Sequence, residues 1–244
     1  MYVNYIIIHH KIMSKKLHIH VIILAAGCGQ RMQKKKFKQF FLLEGIPIIM
    51  HSALKLFKII PDATFNIVLP ENKINYWKYL CKKYSFKVPH NIFYGGETRF
   101  LSVQKTILSL NFRKHDLIII HDSVRPFFSK KLINQLIQLA KKKGHAVPAI
   151  SIKDSLRKIK DKNKHTISVD RSNFLLTQTP QIFRADIIKN AYSIKNNTTN
   201  KTDDVSLIED FVFPINLIRG EELNFKITNQ KDWELAKLIA PTIL

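Results

Sequence analysis

Cysteine is scarce: Cys28 and Cys81 are the only two in 244 residues, and neither has metal-ligating partners at useful spacing. That excludes a disulfide framework and fits a reducing compartment, read here as the cytoplasm. Long apolar runs are also missing, and none approaches the roughly 18 residues that a membrane-spanning helix needs. The first 20 residues, MYVNYIIIHHKIMSKKLHIH, lack glycine and proline, and their wholly apolar run Ile6 to Ile8 is too short for an export signal. Met13 offers a second plausible start, so residues 1–12 are expected to be an upstream extension or a disordered leader, with a leader of 1–17 ahead of a domain at 18–244. Neither a compositional break nor an internal repeat divides the remainder, which favours one α/β domain.

Acidic residues are few, 18 against 40 lysines and arginines, leaving a formal charge of +22. Such an excess invites a nucleic-acid hypothesis, because cations on one face gain by displacing counterions from a phosphate backbone. The lysines do not form a stripe, however. They are scattered through every helix-like segment, which marks a chain-wide bias and predicts no specific nucleic-acid partner, although a basic binding module stays open as an alternative.

What the chain does contain is a rhythm. Short apolar clusters at His20–Leu24, Phe65–Leu69, Asn91–Tyr94, Leu117–Ile120 and Ala146–Ile150 read as buried strands. Segments of helical period lie between them, at Pro47–Phe57, Glu71–Tyr84, Thr98–Leu110 and Ser129–Lys143. Pro47 and Ser129 suit first-turn or N-cap positions, and Gly144 suits a C-cap. The alternation predicts βαβ units on a mostly parallel sheet, whose ligands bind outside the carboxyl ends of the strands. The rhythm breaks at Ser151–Asn173, where charges interrupt alternating apolar positions and a protruding hairpin arm fits best, spanning about 151–174. Beyond it the pattern predicts strands at Gln178–Phe183, Pro214–Arg219 and Asn224–Ile227, and helices at Arg184–Ile194, Asp203–Asp210 and Asn229–Ile239.

Two strand ends carry chemistry. LAAGCGQRMQKKKFKQF, from Leu24 to Phe40, places Ala25, Ala26, Gly27 and Gly29 at the tip of the first strand, where small residues let backbone N–H groups approach a ligand. Arg31 and Lys38 add mobile positive charge suited to a triphosphate. The spacing matches neither the P-loop nor the dinucleotide fingerprint, and taken alone it serves equally as a glycine turn before solvated lysines. HDSVRPF, residues 121–127, follows the strand at Leu117–Ile120. Asp122 there is a candidate ligand for Mg²⁺ or another divalent cation, with Arg125 near enough to orient it; the other reading is a turn-forming aspartate.

In one order along the chain stand LAAGCGQRM with Lys38-Gln39, GGETRFLSV (95–103), HDSVRP, Asp154-Ser155, VDR (169–171), QTPQ (178–181), TDDVSLIE (202–209) and NFKIT (224–228). This ordered set resembles the 2-C-methyl-D-erythritol 4-phosphate cytidylyltransferases of the non-mevalonate isoprenoid pathway, over about residues 20–240. The resemblance implies a Rossmann-like nucleotidyltransferase fold with a mostly parallel twisted sheet and a protruding β-arm used in dimerisation. It implies transfer of CMP from CTP to methylerythritol phosphate, with catalytic Arg31, Lys38 and Lys226 and a metal on Asp122. CTP would meet Ala25, Ala26, Gly27, Gly29, Gly96, Glu97, Ser102 and Ser123. The second substrate would meet Ser155 and Arg171 on the arm, with Arg125 and Thr179 in support. Because the arm crosses to the neighbouring subunit in that family, a homodimer with shared sites is implied. A ribitol 5-phosphate cytidylyltransferase is the nearest rival.

Three positions depart from the family pattern: Leu24 and Phe37 stand for prolines, and Ser155 for threonine. Without proline at 37 the lysine loop loses a restriction on φ and is expected to be more mobile before CTP binds. Serine at 155 keeps the hydroxyl but drops a methyl group from the second-substrate pocket.

Overall fold

The computed structural model describes residues 17–27, 37–161, 165–194, 203–209, 212 and 214–244. Among the predicted features, residues 1–12, Gly29, Arg31 and the hairpin positions 162–164 lie outside them.

The order of elements is β1 Ile19–Leu24, β2 Leu42–Leu43, β3 Ile46–Pro47, α1 Ile48–Ile59, β4 Thr64–Leu69, α2 Ile74–Lys83, β5 His90–Tyr94, α3 Arg99–Ser109, β6 Leu117–Asp122, α4 Lys130–Lys143 and β7 His145–Ser151. After these come β8 Leu156–Ile159, β9 Thr166–Val169, β10 Leu175–Thr177, β11 Gln181–Arg184, α5 Ala185–Ser193, β12 Leu217–Arg219 and α6 Gln230–Ile243. The main sheet runs β10-β7-β11-β6-β1-β4-β5, with β12 beside β7. Pairings β1/β4, β1/β6 and β4/β5 are parallel, whereas β11 runs antiparallel to both β6 and β7. The mixed α/β class and mostly parallel sheet are as the strand–helix rhythm requires.

Strand alternation explains how both faces become buried. Val21, Ile23, Leu117 and Ile119 enter the core on one side, beneath α1, α2 and α4. Ile22, Ile118 and Ile120 enter the other, against α3 and α5. A third apolar cluster, including Leu43, Ile48, Phe127 and Ile227, seats α6. Helix ends are fixed by local chemistry: Thr98 and Ser129 accept from the backbone N–H of Leu101 and Leu132 at 3.1 and 3.0 Å, and Gly144 closes α4 in the left-handed region at φ 88°.

Four predicted elements differ, the first being the strand expected at Gln178–Phe183, which begins only at Gln181. Asn224–Ile227 is not a strand; the segment is held instead by the Asn224 side chain donating to the Thr179 carbonyl (2.9 Å) and by Ile227 N–H donating to the Val124 carbonyl (3.0 Å). Its apolar alternation reflects Ile227 seating α6 rather than a ladder. Of the predicted helix Asp203–Asp210, the end at Asp210 lies outside the described residues, and among 203–209 only Val205–Leu207 is helical, a single 3₁₀ turn, because Arg99 draws off the Asp204 carboxylate and Asp203 serves the turn. Pro214–Arg219 shortens to the strand Leu217–Arg219. The predicted arm is a hairpin, since β8 and β9 form a two-stranded antiparallel sheet of their own with mostly exposed side chains.

Chain order places the site. From β1 the chain moves outward through β4 and β5 and then returns to β6 on the opposite side of β1, a topological switch point whose crevice opens at the strand carboxyl ends. Leu24 and Asp122 are paired at that edge.

Candidate active site

A cleft of about 450 Å³ opens beyond β1 and β6. Ala25, Ala26 and Gly27 form its first wall, Gly96, Glu97 and Ser102 a second, Asp122 and Ser123 its floor, and Lys38 and Lys226 its cationic side. Residues from five separate stretches of sequence therefore meet there.

The first wall is built for close approach. Ala25 N–H is taken by the Val68 carbonyl (2.8 Å), which continues the sheet past β1, while Gln39 donates to the carbonyls of Ala25 (2.5 Å) and Gly27 (3.2 Å) and folds the turn inward. Opposite it, a Cβ placed on Gly95 would lie 2.3 Å from the Ala26 Cβ, so glycine is required for the two turns to face one another. Ser102 accepts from Gly96 N–H at 3.0 Å and donates to the Thr98 carbonyl at 2.9 Å. Its hydroxyl is committed to shaping the Gly96 turn. Ser123 is likewise fixed through its backbone, with N–H donating to Leu24 and its carbonyl accepting from the Ser52 hydroxyl.

Phe37, at the position where the family has proline, packs against Phe40 (ring centroids 6.4 Å apart) beneath the Lys73 ammonium, which sits 4.6 Å from its ring centroid. Aromatic packing thus anchors this end of the lysine loop. The Lys38 ammonium donates to the Thr228 carbonyl at 2.8 Å, tying this loop to the segment that carries Lys226.

Asp122 is the electrostatic centre. Lys226 Nζ lies 2.9 Å from its Oδ2, Arg99 Nε 3.4 Å from Oδ1 and Arg125 Nε 3.6 Å from Oδ2. Burial alone would raise this carboxyl, but Lys226, Arg99 and Arg125 hold it well below the ordinary carboxylate range. It is an anion at every physiological pH. Arg99 is in turn clamped bidentately by Asp204 at 3.0 and 2.6 Å, and Tyr192 Oη donates to Asp204 at 2.5 Å. Burial disfavours the Arg99 cation, yet Asp204 and Asp122 keep it charged.

Of the residues singled out from sequence, Ala25, Ala26, Gly27, Lys38, Gly96, Glu97, Ser102, Asp122, Ser123 and Lys226 all border this cleft. Four do not. Arg125 is directed at Asp122 and at the Asn224 carbonyl (2.8 Å), and the buried Thr179 hydroxyl accepts from Asp122 N–H at 3.0 Å. Ser155 and Arg171 lie exposed on the hairpin and beside it, with Arg171 donating to the Lys153 carbonyl. Sequence reasoning missed Arg99, Gln39 as a shaping residue, and His121. Arg99 and Gln39 fell within quoted motifs, but their partners lie 105 and 14 residues away.

The comparisons with known proteins point to one family. A family model described as 2-C-methyl-D-erythritol 4-phosphate cytidylyltransferase matches residues 19–241. The chain is 41% identical over 221 residues to the protein of that name from Azobacteroides pseudotrichonymphae, covering 90% of this chain and 97% of the relative. It is 34% identical over 226 residues to that of Bacillus licheniformis, covering 91% and 96%. Among solved structures, the 4-diphosphocytidyl-2C-methyl-D-erythritol synthase of Anaerococcus prevotii superposes with a TM-score of 0.77 at 26% identity, covering 92% of this chain and 96% of that one.

Proposed function

Since the chain belongs to the 2-C-methyl-D-erythritol 4-phosphate cytidylyltransferase family, and so transfers CMP from CTP to that polyol phosphate with release of pyrophosphate, we propose how its cleft performs the transfer. Cytosine enters between the Ala25–Gly27 turn and the Gly96 turn, where backbone groups read its edge and the close approach of Ala26 to Gly95 limits the width available to a purine. The triphosphate then points toward Lys38 and Lys226. A phosphate oxygen of the second substrate attacks the α-phosphorus in line, and the bond from that phosphorus to the α,β-bridging oxygen breaks, so that the oxygen leaves with the β- and γ-phosphates as pyrophosphate. The attacking oxygen is already ionised at neutral pH, so no general base is needed. Catalysis is positioning together with preorganised positive charge at the non-bridging oxygens.

The observation that carries this reading is the convergence of Lys38, Lys226 and Asp122 on one cleft. Asp122 offers a hard carboxylate, and among the described residues no cluster of three His, Cys, Asp or Glu side chains accompanies it. A lone carboxylate fits Mg²⁺, which is commonly held by one or two carboxylates together with water and substrate phosphates. Asp122 would hold the ion, which would draw the triphosphate oxygens together and neutralise their charge. Arg31 belongs to the same proposed triphosphate site, and Gly29 to the same loop.

The second-substrate site is proposed to be completed by another copy of the chain, with Ser155 and Arg171 reaching across and Arg171 holding the polyol phosphate. Their exposure away from the cleft supports this, as do the exposed Phe174, Leu175, Leu176 and Leu217 near the hairpin base, an apolar surface suited to a homodimer contact. Cytoplasmic residence is proposed from the cysteine usage; among the described residues, no helix is long and apolar enough to cross a membrane. The test is pyrophosphate release by purified protein with CTP and Mg²⁺, using methylerythritol phosphate or ribitol phosphate. Turnover restricted to the former supports the reading, and turnover only with ribitol phosphate overturns the polyol assignment.

A further inference from the structure

Directly behind Asp122 lies a buried histidine for which the mechanism has no use. The His121 ring is fully enclosed, packed edge-on against Phe128 with ring centroids 4.9 Å apart. Nε2 lies 3.1 Å from the Arg125 carbonyl oxygen and Nδ1 lies 3.2 Å from the Thr179 hydroxyl. A carbonyl can only accept, so Nε2 must carry the proton. The Thr179 hydroxyl already accepts from Asp122 N–H and has its own proton to give, so Nδ1 of the enclosed ring is the acceptor and the imidazole carries a single proton. The Thr179 hydroxyl then donates to Nδ1 and accepts from Asp122 N–H at 3.0 Å. Every donor and acceptor in this chain is matched in one direction only.

The geometry encloses a loop. Arg125 N–H donates to the Asp122 carbonyl at 3.1 Å, making 122–125 a tight turn. Its first amide is held by Thr179 and its last carbonyl by His121, so both ends of the turn meet on one imidazole. We propose that His121 is a positioning residue for the transfer reaction: acting through Thr179, it fixes the backbone of Asp122 and hence the direction in which the carboxylate enters the cleft. Thr179 carries the link, its hydroxyl lying between His121 Nδ1 and Asp122 N–H. Cations at 2.9–3.6 Å can centre a carboxylate only if its backbone is already placed, and a misplacement of about 1 Å at such a site costs up to 10²-fold in rate.

This inference rests on the proposed role of Asp122, and the two can fail separately. Asp122→Asn with parent-like turnover would end the role of Asp122, whereas an inactive Asp122→Asn beside a parent-like Thr179→Val would end the positioning claim alone. Thr179→Val keeps shape and removes the hydroxyl; Thr179→Ser keeps the hydroxyl. Thr179→Val and His121→Asn are expected to lower kcat about tenfold and to raise the Mg²⁺ concentration giving half-maximal rate, with KM for CTP within about twofold. Thr179→Ser should remain within about twofold of the parent. A purely structural histidine would instead shift the melting temperature without moving kcat or metal dependence in the folded variants. A rise confined to KM for the polyol phosphate in Thr179→Val would make Thr179 a substrate contact and overturn the proposal, as would equal impairment in Thr179→Ser. Should His121→Asn fail to fold, nitrogen NMR of the unaltered protein labelled at its histidine rings decides the central point. At pH 7 His121 is expected to be the neutral Nε2–H tautomer, and an Nδ1–H or doubly protonated ring would refute the chain of donors.

Discussion

Replacing Lys226 by methionine separates its part in catalysis from its part in stability. The ammonium sits 2.9 Å from Asp122 but its side chain is 38% exposed, so water screens the pair. Asp122 keeps Arg99 and Arg125 at 3.4 and 3.6 Å after the change. Loss of one partly exposed partner of a carboxylate with other partners is expected to cost about 1 kcal/mol or less. In a domain of this size that corresponds to a fall in Tm of roughly 2–4 °C.

The kinetic cost should be much larger. Among the described residues, the other lysine that borders the cleft is Lys38, whose ammonium is already donating to the Thr228 carbonyl. Removing one preorganised donor from a site of developing negative charge costs about 10²–10³ in kcat, or roughly 3–4 kcal/mol. Lys226→Met should therefore fall at least about 100-fold in steady-state pyrophosphate release, with an unfolding curve close to that of the parent. Lys226→Arg, which keeps the charge in a bulkier planar group, should lie between the two. A folded Lys226→Met with kcat within about threefold of the parent would remove Lys226 from the transition-state charge set, because the stated magnitude leaves no room for so small an effect.

Gly95→Ala should raise KM for CTP by about tenfold or more, since a Cβ 2.3 Å from that of Ala26 must push the two walls apart; unchanged CTP affinity would move the base pocket elsewhere. Arg171→Ala should raise KM for the polyol phosphate and spare that for CTP, and a selective effect on CTP would contradict the arm assignment. For pH, burial together with the neighbouring His18 lowers the His20 imidazole to about 4 from 6.5. The folded state prefers the neutral ring, so this stability is whole above about pH 6.5 and is lost as pH falls toward 4, with roughly 2–3 kcal/mol gone by pH 4.5. Urea unfolding at pH 7 and 4.5 should show that loss shrinking in His20→Asn, and identical losses in the two proteins would refute it.

The strands and the floor of the cleft were legible because buried parallel strands are written as continuous apolar runs, and an aspartate directly after such a run stands at a strand tip. Asp122 and the Ala25–Gly27 turn follow that rule. What escaped was decided by distant pairing. Arg99 reads as an ordinary first-turn helix residue until Asp204 comes within 2.6 Å of it. Asn224–Ile227 has the alternation of a strand, yet the backbone carbonyls of Thr179 and Val124, accepting from the Asn224 side chain and from Ile227 N–H, hold it where a neighbouring strand would otherwise do so. His121 sat in a motif quoted for its aspartate, and nothing local says that its two nitrogens reach residues 125 and 179.

The pairing of Arg99 with Asp204 also explains how a carboxylate ringed by cations can remain useful. If Arg99, Arg125 and Lys226 all spent their charge on Asp122, that lone anion would be so neutralised that neither a divalent ion nor a mobile lysine could exchange with its partners. The structure divides the load. Asp204 takes the Arg99 fork through two short bonds and leaves Asp122 only the Nε edge, at 3.4 Å; the Arg125 Nη1 goes to the Asn224 carbonyl. Lys226, the most exposed of the three, makes the shortest contact and is the one with freedom to leave. The two arginines thereby act as a fixed background that keeps Asp122 ionised, while the lysine is the cation that, in the proposed reaction, an incoming triphosphate would draw away. In a chain with 40 basic residues and 18 acidic ones, the buried Asp204 thus takes up the charge of Arg99 and leaves Lys226 as the closest cation to Asp122.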